Sequence, residues 1–438
     1  MTTHGADFGR EGDGAPPPPV PNGGGHGRLN LMKLSVALVF IWTGLAQSPA
    51  ELMNDRAVRA AMDAAKRNEA ETLDLQARLC EIAAPPYKEE VRGLELKRRF
   101  EQLGLREVRI DKAGNVIGVR PGKAAHPNLV FSAHLDTVFP EGTNVKVTRE
   151  GAVMKGPGIG DDCRGLAVML AVIRALNEAH VETAGTITFV ADVGEEGLGD
   201  LRGMKSLFFD SLKGQIDKFI SVDGTGLGIT HIGVGSNRYK VTFKGPGGHS
   251  YGAFGMANPI QAMGRAIGKI DAIQVPRQPK TTFNVGRVGG GTSINAIPFD
   301  AWMEVDMRSA DPAALKEVDT KFHAAITQAV NEENARWNNR GPVSASAELV
   351  GVRPAGQTAK ESAIVQTAMA VSRAMQIEEV LREGSTDSNV PMNLNIPAIT
   401  ISGGGTGTGA HSLNETFDGT DSWRGTQRAV LLAVALAR

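Results

Sequence analysis

The sequence predicts an α/β fold with a mostly parallel sheet, interrupted by a smaller α+β unit. Two observations carry this. NLVFSAHLD (128–136), GTITFVADV (185–193), DKFISVDG (217–224) and PAITISGGG (397–405) are nearly continuous apolar runs of strand length, with helical stretches between several of them. Such runs are the pattern of strands buried on both faces. From 235 to 351 the pattern changes to strand–helix–strand–strand–helix–strand, a split βαβ unit.

Taken in chain order, residues 1–31 form a Gly/Pro-rich extension, with Pro16 to Pro19 in a row and GGGHG at 23–27, of disordered composition. Residues 32–50 read as an export signal. Arg28 and Lys33 precede the apolar LSVALVFIWTGL (34–45), and the small residues of AQSPA follow. Met32 would then be the true start, and the protein would be exported, to a periplasm or the medium. The alternative is an uncleaved anchor over 34–50, although that stretch is short for a span needing about 20 apolar residues. No stable membrane span is expected once the signal is cleaved.

At 438 residues the chain is too long for one ordinary core. A first catalytic segment is expected over 55–234, an inserted unit over 235–351 and a second catalytic segment over 352–438. MNDRAVRAAMDAAKRNEAETLDLQARLCEIA (53–83) reads as helix, as do VRGLELKRRFEQLG (91–104) and GLAVMLAVIRALNEA (165–179). In the insert, Asp311 is placed to cap a long amphipathic helix with Pro312 in its first turn. The formal charge of −1, with acids and bases interspersed, offers no field for nucleic acid. Cys80 and Cys163 make no disulfide framework.

The chemistry-bearing residues gather at strand ends. In an open α/β sheet ligands bind outside the carboxyl ends of the strands. The four runs end in His134 and Asp136, Glu195 and Glu196, Asp223, and a glycine loop leading to His411; GPGIGDDCRG (156–165) adds Asp161 and Asp162 before a helix. Singly, each is an ordinary turn or strand end. Together they make a strongly self-repelling cluster that a metal would neutralise, and imidazole with carboxylate suits zinc. No GxxxxGK[ST], GxSxG or HExxH motif is present. Cys163 has no paired base, and reads as a structural thiol.

At AHLDTV, GPGIGDDCRG, GEEG, SVDG, GPGGHS, NAIP, EVDMRS, STDSN and GAHSLNE, in that order, the chain resembles the dinuclear-zinc metallopeptidase family. That family includes peptidase T, carboxypeptidase G, aminoacylase, acetylornithine deacetylase and succinyl-diaminopimelate desuccinylase. The motifs run from about residue 70 to the C-terminus, and SVDG and STDSN lean towards peptidase T-like members. The resemblance implies a zinc-exopeptidase-like sheet with an inserted ferredoxin-like lid through which the chain dimerises. It implies two Zn2+ per subunit, with Co2+ or Mn2+ as alternatives. Asp161 would bridge them, Glu196 and His411 would complete one site, and His134 and Asp223 the other. Asp136 would orient His134, and Glu195 would be the general base for the attacking water. His249 would reach the neighbouring subunit's site and donate to the oxyanion. Asn295 and Arg308 match substrate-binding positions, and Ser385, Asp387 and Asn389 would fall in a substrate loop.

The resemblance also implies a cis peptide after Asp161, with Asp162 serving the turn. Cys163 stands where the family usually has lysine; Arg164 is a candidate to replace that charge. Asp223 is an aspartate where several carboxypeptidases carry glutamate. The expected activity is a tripeptidase-like aminopeptidase acting on small peptides. A carboxypeptidase or a deacylase of N-acyl amino acids is the alternative, and an inactive metal- or peptide-binding paralogue a further one.

Overall fold

A computed structural model describes residues 47–438. The expected extension over 1–31 and nearly all of the expected signal over 32–50 therefore lie outside the described residues. No helix among the described residues is long and apolar enough to cross a membrane.

The catalytic part opens with helices α1 (Arg56–Arg67), α2 (Glu69–Cys80) and α3 (Glu90–Gln102). The single helix expected over 53–83 is thus two. Asn68 ends α1 and starts α2, and its side-chain amide donates to both carboxylate oxygens of Glu178. Asparagine is a weak helix former that readily spends its amide elsewhere. Strands β1 (Arg106–Ile110), β2 (Val116–Arg120) and β3 (Asn128–His134) follow, then α4 (Cys163–Glu178), β4 (Thr186–Asp192), β5 (Lys218–Val222) and β6 (Ile229–Gly233).

The insert comprises β7 (Gly235–Lys244), α5 (Pro259–Asp271), β8 (Thr281–Gly290), β9 (Asp300–Ser309), α6 (Pro312–Arg336) and β10 (Ser344–Arg353). Asp311 caps α6 by accepting the Ala314 N–H at 2.7 Å. The four strands pair antiparallel in the order β8-β9-β7-β10. Val241, Met303, Met307 and Phe322 lie in the core that the sheet shares with α5 and α6. β10 continues to Arg353, two residues beyond the expected edge of the insert, and this decides where Arg353 points.

After the insert come α7 (Ala363–Ala374), β11 (Ala398–Ile401) and α8 (Trp423–Leu436). The central sheet runs β1-β2-β4-β3-β5-β11-β6, with the short strands Gly356–Gln357 and Leu381–Gly384 on β6. β4, β3, β5 and β11 are parallel, and the flanking β1–β2, β2–β4 and β11–β6 pairs are antiparallel. All seven residues of β3 are buried, and α4 and α8 cover the sheet with largely apolar surfaces. Phe131 and Phe189 pack across adjacent strands with ring centroids 5.6 Å apart; truncating either would cost about 3–5 kcal/mol.

A small four-stranded sheet, not anticipated from the sequence, joins Thr148–Glu150 and Val153–Lys155 to Thr406–Thr408 and Thr416–Asp418. It brings the loop carrying His411 against the loop carrying Asp161.

Candidate dinuclear metal centre

The parallel strands aim their carboxyl ends at one edge. His134 is the last residue of β3, Glu195 and Glu196 follow β4, and Asp223 follows β5. Asp161 comes from the turn before α4, whose N-terminus is capped by Asp162. Asp162 Oδ1 accepts the Gly165 N–H at 2.9 Å, and its Oδ2 accepts the His134 N–H at 3.2 Å. The Asp161–Asp162 peptide is cis.

Asp161 sits at the centre of the cluster. Its Oδ1 lies 3.1 Å from His134 Nε2 and its Oδ2 3.1 Å from His411 Nε2. His411 Nε2 is also 2.9 Å from Glu196 Oε1. Ligand atoms of His134, Asp161 and Asp223 lie within 4.8 Å of one another, as do those of Asp161, Glu196 and His411. Asp161 belongs to both groups, each of which offers one imidazole and two carboxylates. A third group, His134 with Glu195 and Glu196, overlaps them.

The donor set fits metal. His134 Nδ1 lies 3.0 Å from the Asp136 carbonyl oxygen; donation there leaves the Nε2 lone pair for a ligand. The orienting acceptor is therefore the Asp136 backbone. The Asp136 carboxylate is 3.7 Å from Nδ1 and instead accepts the N–H groups of Glu195 at 3.0 Å and Glu196 at 2.8 Å. Asp136 thus positions the backbone of Glu195 and Glu196 as well as the His134 imidazole.

Electrostatics favour the same conclusion. Burial, with the neighbouring Glu196 and Asp223 adding to it, pushes Glu195 up to about 8 against the pull of Arg353 and His134. Burial and the facing Asp161 push Asp223 up to about 7. His411, beside Asp161 and Glu196, is raised to about 10. Asp161 is half-buried, and although desolvation opposes its charge, its two imidazole partners hold it below the usual carboxylate range. Carboxylates so strained by one another are what divalent cations neutralise.

The loop over 156–161 is tied down by Glu415, which the sequence reading did not single out. Its carboxylate accepts the N–H groups of Gly158 at 3.0 Å, Gly160 at 2.8 Å and Asp161 at 3.1 Å. Cys163 is fully buried with Leu73, Cys80, Met154, Ile159 and Phe417, outside the ligand groups. Arg164 does not replace the family lysine. It is buried away from the cluster, donating to the carbonyls of Gly403 and Ser422 at 2.8 Å and pairing with Glu69 at 3.1 Å.

The remaining candidates divide. Arg308 and Ser385 line one cleft between the two parts of the chain, with Lys280 and Glu383. His249 and Asn295 stand together on the insert. His249 pairs with Ala296 in a short strand bridge, and the Asn295 carbonyl accepts the Ser250 N–H at 2.9 Å. Both are exposed and belong to none of the ligand groups. Asn389 is buried with its amide spent on the carbonyls of Val234 and Pro354 and its oxygen on the Thr386 N–H, all at 2.9 Å, so it braces the loop and does not face a substrate. Asp387 is likewise buried, with neither carboxylate oxygen hydrogen-bonded among the described residues. Burial, with Asp192 and Glu195 adding to it, raises it well above the usual range. Arg353, which nothing in the sequence singles out, joins the cluster: its Nη1 donates to Glu195 Oε1 at 3.0 Å.

Fold and site together define a metal-dependent hydrolase. The chain belongs to peptidase family M20/M25/M40, whose profile matches residues 130–435. The Bacillus subtilis protein YqjE is 26% identical over 328 residues, covering 70% of this chain and 83% of that protein. Carboxypeptidase G2 of Pseudomonas sp. is 27% identical over 230 residues, covering 50% of this chain and 54% of that enzyme. The crystal structure of the aminopeptidase PepT from Bacillus cereus superposes with a TM-score of 0.69 over 85% of this chain and 99% of that one. At 22% identity that likeness is one of fold.

Proposed function

We propose that the protein is a zinc-dependent exopeptidase that cleaves the N-terminal residue from small peptides, in the manner of a tripeptidase. The observation that carries this reading is the Asp161 carboxylate, with one oxygen 3.1 Å from His134 Nε2 and the other 3.1 Å from His411 Nε2. His134, Asp161 and Asp223 would hold one ion, and Asp161, Glu196 and His411 the other. When bound, such a pair supplies neutralising charge at a carbonyl oxygen and lowers the pKa of water. Glu195, buried beside the cluster, takes the proton from water at its carboxylate and passes it to the leaving amine. Asp136 holds the backbone of Glu195 and Glu196 in place. Arg308 receives the peptide carboxylate as a guanidinium fork, with Asn295 beside His249. Because His249 is exposed and outside the ligand cluster of its own chain, it serves across a dimer formed by the insert, donating to the developing oxyanion.

A carboxypeptidase or N-acyl-amino-acid deacylase with the same machinery is the second reading, favoured by the match to carboxypeptidase G2. The test is a panel of dipeptides, tripeptides, N-blocked peptides and N-acyl amino acids, assayed with zinc and again after chelation. The reading requires hydrolysis of free-amine tripeptides that chelation abolishes. Turnover confined to N-blocked substrates would replace it with the second reading, and turnover of nothing in the panel would contradict both.

A further inference from the structure

The loop carrying Glu195 is gripped by the insert as well as by its own sheet. Arg353, the last residue of β10, donates from Nη1 to Glu195 Oε1 at 3.0 Å and to Ser385 Oγ at 3.2 Å. Its Nη2 donates to the Glu195 carbonyl oxygen. One residue earlier, Val352 N donates to Asp200 Oδ1 at 2.6 Å. Lys205 Nζ closes that bracket, reaching Asp200 Oδ2 at 2.6 Å and the Val352 carbonyl at 2.8 Å. From the adjacent strand β7, Arg238 Nη1 donates to the Gly197 carbonyl at 2.5 Å. The same guanidinium meets Asp306 Oδ1 at 3.1 Å, and Arg308 Nε meets Asp306 Oδ2 at 2.7 Å.

This is unlike a surface ion pair. Arg353 and Glu195 are each 5% exposed, so solvent screens them little and the charge-assisted bonds are directional. The fork holds the carbonyl and one carboxylate oxygen of a single residue, while Asp136 Oδ1 holds that residue's N–H at 3.0 Å. Three points of Glu195 are fixed, and Oε2 is left without a protein donor among the described residues. A lysine ammonium could not make the same planar, two-point contact.

We propose that Arg353 is a positioning residue that locks the Glu195 carboxylate with Oε1 occupied and Oε2 free for proton transfer, making this orientation depend on the insert. β7 starts at Gly235 and β10 ends at Arg353, so the guanidinium lies where the insert rejoins the catalytic part. Any rotation of the insert moves it, and the base with it. Asp306 joins Arg308 to Arg238, so a substrate carboxylate held at Arg308 engages the same lattice that grips residues 195–200. The inference rests on the reading of Glu195 as the base.

The holoenzyme and its Arg353→Met, Arg353→Lys and Glu195→Gln variants are compared on trialanine. Arg353→Met should lose about 100-fold in kcat, as misplacement of a reacting group does, with KM within about threefold and metal content as in wild type. Arg353→Lys should fall between, and added methylguanidinium should restore part of the Arg353→Met activity. In the Glu195→Gln background, calorimetry should give the same trialanine Kd with and without Arg353→Met. Wild-type kcat in Arg353→Met, loss of its metal, or a defect confined to KM and Kd would each overturn the proposal, the last by making Arg353 a substrate ligand. Turnover by Glu195→Gln would be a different failure, removing the base reading and this inference with it.

Discussion

Asp161 Oδ2 lies 3.1 Å from His411 Nε2, although the two residues are 250 positions apart. The small sheet that pairs Val153–Lys155 with Thr416–Asp418 closes this distance, and Glu415 locks it by accepting three N–H groups from the Asp161 loop. Glu415→Ala should therefore weaken metal binding about 10–100-fold, the usual effect of removing a residue that orients a ligand. Equilibrium dialysis against zinc reads this directly. Unchanged affinity would mean that the loop holds its shape without Glu415.

The metal-free protein should lose stability as pH rises. Glu195 and Asp223 have folded values of about 8 and 7, above their unfolded values. The folded state therefore binds more protons, and stability falls from about pH 4 until both have ionised. His411, raised to about 10 by Asp161 and Glu196, contributes stability that is complete below its unfolded value of about 6.5 and lost as pH climbs towards 10. All three act in the same direction. Thermal unfolding of chelated protein should show Tm falling between about pH 5 and 9, and the Tm gain on adding zinc should be larger at pH 8 than at pH 6. A metal-free Tm that rises across this range would contradict the charge arrangement.

Cys163 lies two residues from Asp161 yet is sealed in an apolar cluster. Cys163→Ala should keep kcat within about threefold of wild type, since a thiol outside the reacting groups contributes nothing to the transition state. Iodoacetamide should leave the folded enzyme active and label it only after denaturation. Inactivation of native protein in step with labelling at Cys163 would reverse this assignment.

The dimer reading is open to complementation. His249→Ala and Glu195→Gln should each be inactive alone. Mixed in equal amounts and allowed to exchange subunits, they should recover about a quarter of wild-type activity, because half the dimers are mixed and each carries one complete site. No recovery, with exchange verified by mass, would place the action of His249 within its own chain or remove it.

Much of this was legible in the sequence because burial writes a plain pattern. β3, β4, β5 and β11 are short apolar runs, and residues of ligand type stand at their ends. Position and resemblance together pointed to His134, Asp161, Glu196, Asp223 and His411. What escaped was set by long-range contact. Arg353 meets Glu195 across 158 positions, and nothing local in VGVRPA distinguishes its guanidinium from a solvated one. The small sheet is made of three-residue strands, and Thr148–Glu150 is wholly exposed, too short and too polar to show a period. Asn389 and Asp387 read as loop residues facing a ligand; only the folded chain reveals that both are buried, Asn389 with its amide on the carbonyls of Val234 and Pro354.

On the proposed reading, Asp161 bridges two metal ions used for hydrolysis. The most direct measurement is the activity of chelated, metal-free protein on a free-amine tripeptide as zinc is added back, with bound metal counted at each point for wild type and Asp161→Ala. Activity should rise to a break at two zinc ions per subunit, and Asp161→Ala should bind neither tightly and stay inactive. Full activity without metal, saturation at one ion, or an active Asp161→Ala variant would contradict the account.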